Sequence, residues 1–413
     1  AARRLTGVLD GGALPVQGPP GSGKTFTGAR MIVELAKRGK RVGVSAVSHK
    51  VIDNLLQSAL KAAAEERVEL DCLHKVSELS AEAPEGIEET TSNQEPLAAL
   101  EAGEANVVGG TAWLWAREEY AGSVDVLFVD EAGQMSLANV LAMSPCARNL
   151  VLLGDPQQLE QPQKGSHPEG TDVSALQHVI GEGSVMPQEK GLFLEQTWRL
   201  HPAVCGFTSR QFYEGKLSSR EGMELQAVEG PTKYRGAGLW VEEVEHEGNQ
   251  GTSPEEVERV AEVVAELTRE GVTWRDADGR SESLGLEDIL VVAPYNAQVA
   301  ELQAKLGCRA KVGTVDRFQG QEATAVVYSM TTSSPEDAPR GMEFLYSLNR
   351  LNVATSRARC VCVLVASSNL FEPECRSVRQ MRLANGVCAF SEEARGPSRL
   401  RGGNPPSPGF PPG

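Results

Sequence analysis

"ALPVQGPPGSGKTFTGARMIVELAKRG", residues 13–39, is the place from which the architecture can be worked out. Ala13–Gln17 reads as a short buried strand, and the apolar positions after Phe26 recur at helical spacing. Between them, Gly18-Pro19-Pro20-Gly21-Ser22-Gly23-Lys24-Thr25 matches G-x-x-x-x-G-K-[ST], and strand before and helix after is the context that gives this pattern meaning. Glycines let backbone N–H groups turn inward around a phosphate, and a helix N-terminus adds a favourable dipole. Lys24 is expected on the β- and γ-phosphates, the Thr25 hydroxyl on Mg²⁺, and Phe26 next to the nucleotide. ATP and Mg²⁺ are therefore the expected cofactors.

Working outward, "VDVLFVDEAGQ" is an apolar strand ending in Asp130-Glu131. A phosphate loop needs a carboxylate at a neighbouring strand tip to hold the metal, and Asp130 fits that need. Glu131 is placed to take a proton from an attacking water, which favours hydrolysis over transfer to another substrate. "NLVLLGDPQQLEQP" is a third strand, running into Gln158, a candidate sensor of the γ-phosphate. Apolar strands continue to alternate with helical patterns through "DILVVAPY", "ATAVVYSM" and "CVCVLVA". Continuous apolar strands separated by helices imply α/β domains with parallel sheets covered on both faces. The pattern restarts near residue 190, so two tandem domains are expected, over 1–188 and 189–385.

Composition bounds the rest. The 413 residues carry a formal charge of −16, with 40% hydrophobic and 23% charged residues. Such acidity argues against coating nucleic acid with bulk positive charge, though a narrow basic channel remains compatible with it. Eight cysteines occur without a C-x-x-C pair, which suits reduced thiols better than a disulfide or zinc framework. No apolar run reaches the ~18 residues of a membrane span, and no signal peptide is visible, so a soluble, intracellular, cytoplasmic protein with no membrane partner is expected. Two segments break the alternation. An acidic insertion over about 66–105 includes Ser77–Ala105, with eight Glu and no Lys or Arg, and reads as solvated and partly disordered. The tail, 386–413, ends in "GGNPPSPGFPPG" and reads as disordered.

Taken in order, GPPGSGKT, DEAGQ, GDPQQL, "EQTWRLHP", "VGTVDRFQGQE" and "NVATSRAR" resemble the motif series of superfamily 1 helicases. They are closest to the branch containing the nonsense-mediated-decay helicase and the Okazaki-fragment nuclease-helicase. The resemblance implies two RecA-like P-loop NTPase domains with the nucleotide site in the cleft between them. It implies that Gln158 senses the γ-phosphate and that Arg199 and Arg357 contact it from the second domain, Arg357 as the arginine finger. It places Trp198, where relatives usually have Tyr, on the nucleotide base, and Glu322 near the ribose. Single-stranded nucleic acid, DNA favoured over RNA, is the implied partner, with movement 5′ to 3′. Ser45, Ser48, Asn54 and Thr111 are implied contacts in the first domain, and Pro294, Tyr295, Gln298, Thr314 and Arg317 in the second. Trp113, Trp115 and Tyr295 are stacking candidates, with core packing the favoured reading of the two tryptophans, whereas His201 reads as a structural hydrogen-bonder. The chain opens "AARRL" without Met, and some bacterial relatives carry a RecB-like nuclease domain ahead of such a half, so an N-terminal nuclease domain is an expected partner. The alternative is a nucleotide-gated protein-interaction ATPase that does not translocate.

Overall fold

The computed structural model describes residues 2–160, 170–318 and 320–396, and divides into two compact units, Ala1–Thr197 and Trp198–Gly413. In the first unit, β1 (Ala13–Gln17), β2 (Val42–Ser45), β3 (Cys72–Lys75), β4 (Ile87–Thr90), β5 (Val107–Gly109), β6 (Val124–Val129), β7 (Ala147–Gly154) and β8 (Leu192–Phe193) form one sheet. Its order is β4-β3-β5-β2-β6-β7-β1-β8, and every pairing is parallel. All strands therefore end at the same edge. The helix after β1, Lys24–Ala36, and the helix after β2, His49–Glu66, pack against each other and bury Ile32, Val33, Leu55 and Leu56. Ser48 caps the second helix by accepting from the Val51 N–H at 3.4 Å. The first unit extends past residue 188 because Leu192–Phe193 pairs with β1 and adds an edge strand.

The second unit is built on a five-stranded parallel sheet, in the order Gly238–Glu243, Ala358–Ala366, Ala323–Ser329, Ile289–Ala293, Lys311–Thr314. Val291, Val327 and Val363 lie in its core under the amphipathic helix Pro254–Leu267. A small antiparallel sheet of Ala227–Glu229, Thr273–Arg275 and Ser281–Ser283 joins it, which parallel-strand patterning did not anticipate. All eight cysteines are free thiols, and Cys360 and Cys362 are both buried. Among the described residues no helix is long and apolar enough to cross a membrane.

Two expectations are corrected. The acidic insertion is ordered: it holds β3, β4 and the helix Glu95–Ala102, which bury Leu73, His74, Ile87 and Leu100 while most of their glutamates face solvent. Runs of charge there conceal strands only four residues long. The tail does not begin at Gly386, because the helix Val378–Arg395 runs through it. A Cβ at Gly386 would lie 2.4 Å from the Leu348 side chain, so that helix packs closely at this point. The Pro/Gly-rich stretch expected to be disordered lies outside the described residues.

Of the two readings open for Trp115, the structure shows core packing and rules out stacking. It is 1% exposed, and its indole N–H donates to the Val44 and Gly110 carbonyls at 3.2 and 3.0 Å. Trp113, two residues earlier, is 88% exposed. Trp115→Ala is expected to cost about 3–5 kcal/mol of stability through the cavity it leaves, and Trp113→Ala less than ~0.5 kcal/mol. Urea-unfolding midpoints of the two variants check this.

Candidate nucleotide and nucleic-acid site

The phosphate loop is shaped by what its residues lack. Gly21 and Gly23 have φ of 72° and 80°, a region costly for side chains with a Cβ. A Cβ on Gly18 would sit 2.1 Å from Lys24 Cγ, so glycine alone leaves the loop its present path. The Gly18 N–H donates to the Gly154 carbonyl at 2.9 Å, and Lys24 Nζ donates to the Gly18 carbonyl at 2.8 Å. Gly23 is the N-cap of the following helix, so no side chain there satisfies the helix's first N–H groups. Ser22 Oγ is buried without a partner. A cradle free of Cβ atoms, an open helix N-terminus and an orphaned hydroxyl together fit an anionic phosphate chain.

The tips of β6 and β7 supply the carboxylates and amides. A Cβ on Gly154 would lie 2.5 Å from the Gly133 nitrogen, so the turns after these strands touch backbone to backbone. Asp130 is 4% exposed and accepts the Glu131 N–H at 2.8 Å. Burial, and then the charge of Glu131, push its carboxyl up to about 7, against the pull of that N–H and of Lys24. Glu131 is half-buried and has φ of 51°, a left-handed backbone that costs about 1–3 kcal/mol in a non-glycine residue. Gln158 Nε2 donates to Asp155 Oδ2 at 2.9 Å, and Gln17 Nε2 to Asp155 Oδ1 at 3.3 Å. Sequence reasoning missed Asp155 and Gln17 as the buried pair that orients Gln158. It also missed Gln134, whose Nε2 is buried without a partner; its place as the last residue of DEAGQ was the available signal.

In the second unit, Arg199 and Glu322 come together, and Arg357 is tied to the same region through its backbone. Glu322 Oε2 accepts from Arg199 Nε, and its Oε1 accepts from Arg359 Nη2 at 2.5 Å. Arg199 Nη1 also donates to the carbonyl of Ser356, the residue before Arg357, at 3.2 Å. Burial alone would raise the Glu322 carboxyl, but Arg199 and Arg359 outweigh it and hold it below the usual carboxylate range. Arg357 is 2% exposed, and the Ala323 N–H donates to its carbonyl at 3.0 Å. Trp198 is 57% exposed, with the Arg220 guanidinium 3.7 Å from its ring centroid. His201 caps the helix Pro202–Phe212, its Nδ1 accepting from the Ala203 N–H at 3.0 Å.

The nucleic-acid candidates separate into groups. Ser48 and Asn54 are exposed on the helix His49–Glu66, and Thr111 is half-buried at the start of the short helix Ala112–Trp115. Pro294, Tyr295 and Thr314 line a cavity of about 260 Å³ with Arg340, Phe344 and Arg350. Both guanidiniums approach the Phe344 ring, at 3.8 and 4.2 Å, and neither arginine was found by sequence reasoning. Arg317 is exposed nearby in sequence. Two candidates are corrected. Ser45 is 0% exposed at the end of β2, and Gln298 is 0% exposed with its amide donating to Ser329 Oγ and accepting from the Ser253 N–H. Neither side chain can meet a polymer from where it lies.

Two family models, each described as an AAA domain, match the chain over residues 5–179 and 171–369. The probable helicase MAGATAMA 3 of Arabidopsis thaliana is 29% identical over 268 residues, 59% of this chain and 30% of that protein. The ATP-dependent helicase NAM7 of Saccharomyces cerevisiae is 26% identical across 85% of this chain and 40% of its own length. A solved arterivirus nonstructural protein 10 helicase in complex with DNA aligns with TM-score 0.47 and 15% identity, over 88% of this chain and 61% of the viral one. The chain thus spans less than two thirds of the length of these relatives. With the AAA-domain matches running over both units and the motif series in order, the chain belongs to the superfamily 1 helicases.

Proposed function

We propose that this chain is an ATP-dependent translocase or helicase acting on single-stranded nucleic acid. The observation that carries the reading is the juxtaposition, at one edge of the parallel sheet, of the phosphate loop after β1 with Asp130 and Glu131 after β6 and Gln158 after β7, the strand between them. Bound ATP would supply the γ-phosphoryl group, and Mg²⁺ would neutralise charge on its oxygens. Thr25 and Asp130 are the hard oxygen donors that suit this ion.

In this reading Lys24 and the loop amides hold the phosphates, and Glu131 takes the proton of the attacking water. Gln158, oriented by Asp155, positions that water. Arg199 and Arg357 offset the charge that develops on the γ-phosphoryl oxygens, an effect worth roughly 10³–10⁵ in rate for a well-placed arginine. Ser48, Asn54 and Thr111 in the first unit, and Tyr295, Thr314 and Arg317 with Arg340 and Arg350 in the second, contact the strand. Small polar side chains and guanidiniums are the groups that meet phosphodiesters. DNA is favoured over RNA as substrate, and 5′ to 3′ polarity follows from the family resemblance.

Steady-state ATPase with single-stranded DNA, single-stranded RNA or neither tests this proposal. Stimulation by a strand that weakens steeply between about 50 and about 200 mM salt is expected. Hydrolysis indifferent to both polymers would instead favour the nucleotide-gated interaction ATPase. Lys24→Ala is expected to abolish turnover. Arg357→Ala is expected to lower kcat by about 10³-fold while a fluorescent ATP analogue still binds, and near-normal turnover in that variant would sink its assigned role.

The buried Asp130 also makes a stability prediction. A folded-state carboxyl raised to about 7 keeps its proton where the unfolded chain has already lost it, so it costs stability as pH rises from about 4 to about 7. In EDTA, Asp130→Asn is expected to stabilise the protein above pH 7, with the gain vanishing below about pH 4. Thermal midpoints across that range check the sign.

A further inference from the structure

From sequence alone Arg359 reads equally as a phosphate contact or a surface salt bridge, and its surroundings point to a third role. It is the second residue of the strand Ala358–Ala366, which pairs with Ala323–Ser329 in a register that sets Ala358 opposite Ala323. Glu322 immediately precedes that partner strand, so the two side chains leave adjoining strand starts. Arg359 grips one oxygen of Glu322 through both Nε, at 3.1 Å, and Nη2, at 2.5 Å. The other oxygen is held by Arg199. The Arg359 guanidinium also lies 5.6 Å from the Trp274 ring centroid. Its backbone carbonyl accepts the His201 N–H at 2.8 Å, which ties the segment carrying Arg199 to the same strand.

We propose that Arg359 is a positioning residue that keeps Glu322 from competing with nucleotide for Arg199. One carboxylate is shared by two guanidiniums. In the proposed reaction, on which this inference rests, Arg199 turns to the γ-phosphate and its hold on Glu322 weakens. Glu322 is half-buried, with a side chain 34% exposed, so a cationic partner that stays when Arg199 leaves lowers the cost of that move. The two-bond grip of Arg359 on Oε1 provides that partner. Without Arg359, the full attraction of the carboxylate falls on Arg199, and nucleotide must break that pair to bind. The penalty therefore appears in nucleotide affinity more than in the chemical step.

A double-mutant cycle between positions 359 and 322 reads this directly. ATPase kinetics with single-stranded DNA are measured for the full chain and for Arg359→Ala, Glu322→Gln, the double variant and Arg359→Lys. Arg359→Ala is expected to raise KM for ATP about tenfold with kcat changed less than about threefold, and Arg359→Lys to recover most of that loss. In the Glu322→Gln background, where no carboxylate competes, Arg359→Ala is expected to shift KM less than about twofold. An equal tenfold effect in both backgrounds would mean that Arg359 touches nucleotide itself, and would overturn the proposal. A fall in kcat at unchanged KM, or no effect in the wild-type background, would overturn it too. Should Arg359→Ala fail to fold, Arg359→Gln carries the same cycle. Wild-type chain that hydrolyses no ATP beyond a Lys24→Ala blank would refute the proposed function instead, so the two failures are told apart.

Discussion

Backbone amides can grip a phosphate only where no Cβ stands between them and it, and the first unit is arranged around that restriction. Gly18, Gly21 and Gly23 open the loop after β1, and Gly154 and Gly133 let the turns after β7 and β6 come within backbone contact. Because every strand of the sheet is parallel, these turns all leave from one edge. The metal-binding candidate Asp130, the strained Glu131 and the buried Gln158 are thereby delivered beside the loop. Fuller side chains at the glycines would push the tips apart and separate the groups.

Two carboxylates show how environment assigns chemistry to similar residues. Asp130 is buried beside another carboxylate, so its proton is held up to about 7. Glu322 is also drawn out of water, but between Arg199 and Arg359, and its proton is driven off below the usual range. Burial acts in the same direction on both, and the sign of the nearest charge decides the outcome. The acidic net charge of the chain predicts neither result, since each depends on contacts within a few ångströms.

Legibility in the sequence followed the strength of local signals. The helix His49–Glu66 is bounded by Ser48 at one end and a positive-φ residue, Arg67, at the other, and its pattern could be read without coordinates. The edge strand β4 and its neighbour β3 could not, because four residues each give too short an alternation to stand out from the charge around them. Gln298 and Trp115 have exposed residues one or two positions away, whereas Ser45 ends a strand that is buried throughout. A shift of one residue along a strand or 100° around a helix turns a side chain from surface to core. Arg340 and Arg350 lie in no legible motif, and the cavity they share with Tyr295 and Thr314 exists only through folding.

The sequence by itself determined the phosphate loop, the α/β class, the order of the motifs and with them the family. Those properties reside in short contiguous stretches, where backbone geometry and residue type are fixed by neighbours in the chain. Only the tertiary structure decided which carboxylates keep their protons, which polar side chains are spent on the interior, and that Glu322 is divided between Arg199 and Arg359. These outcomes depend on pairs as far apart as 123 positions along the chain. Their energies come from desolvation and from distances that no local pattern encodes.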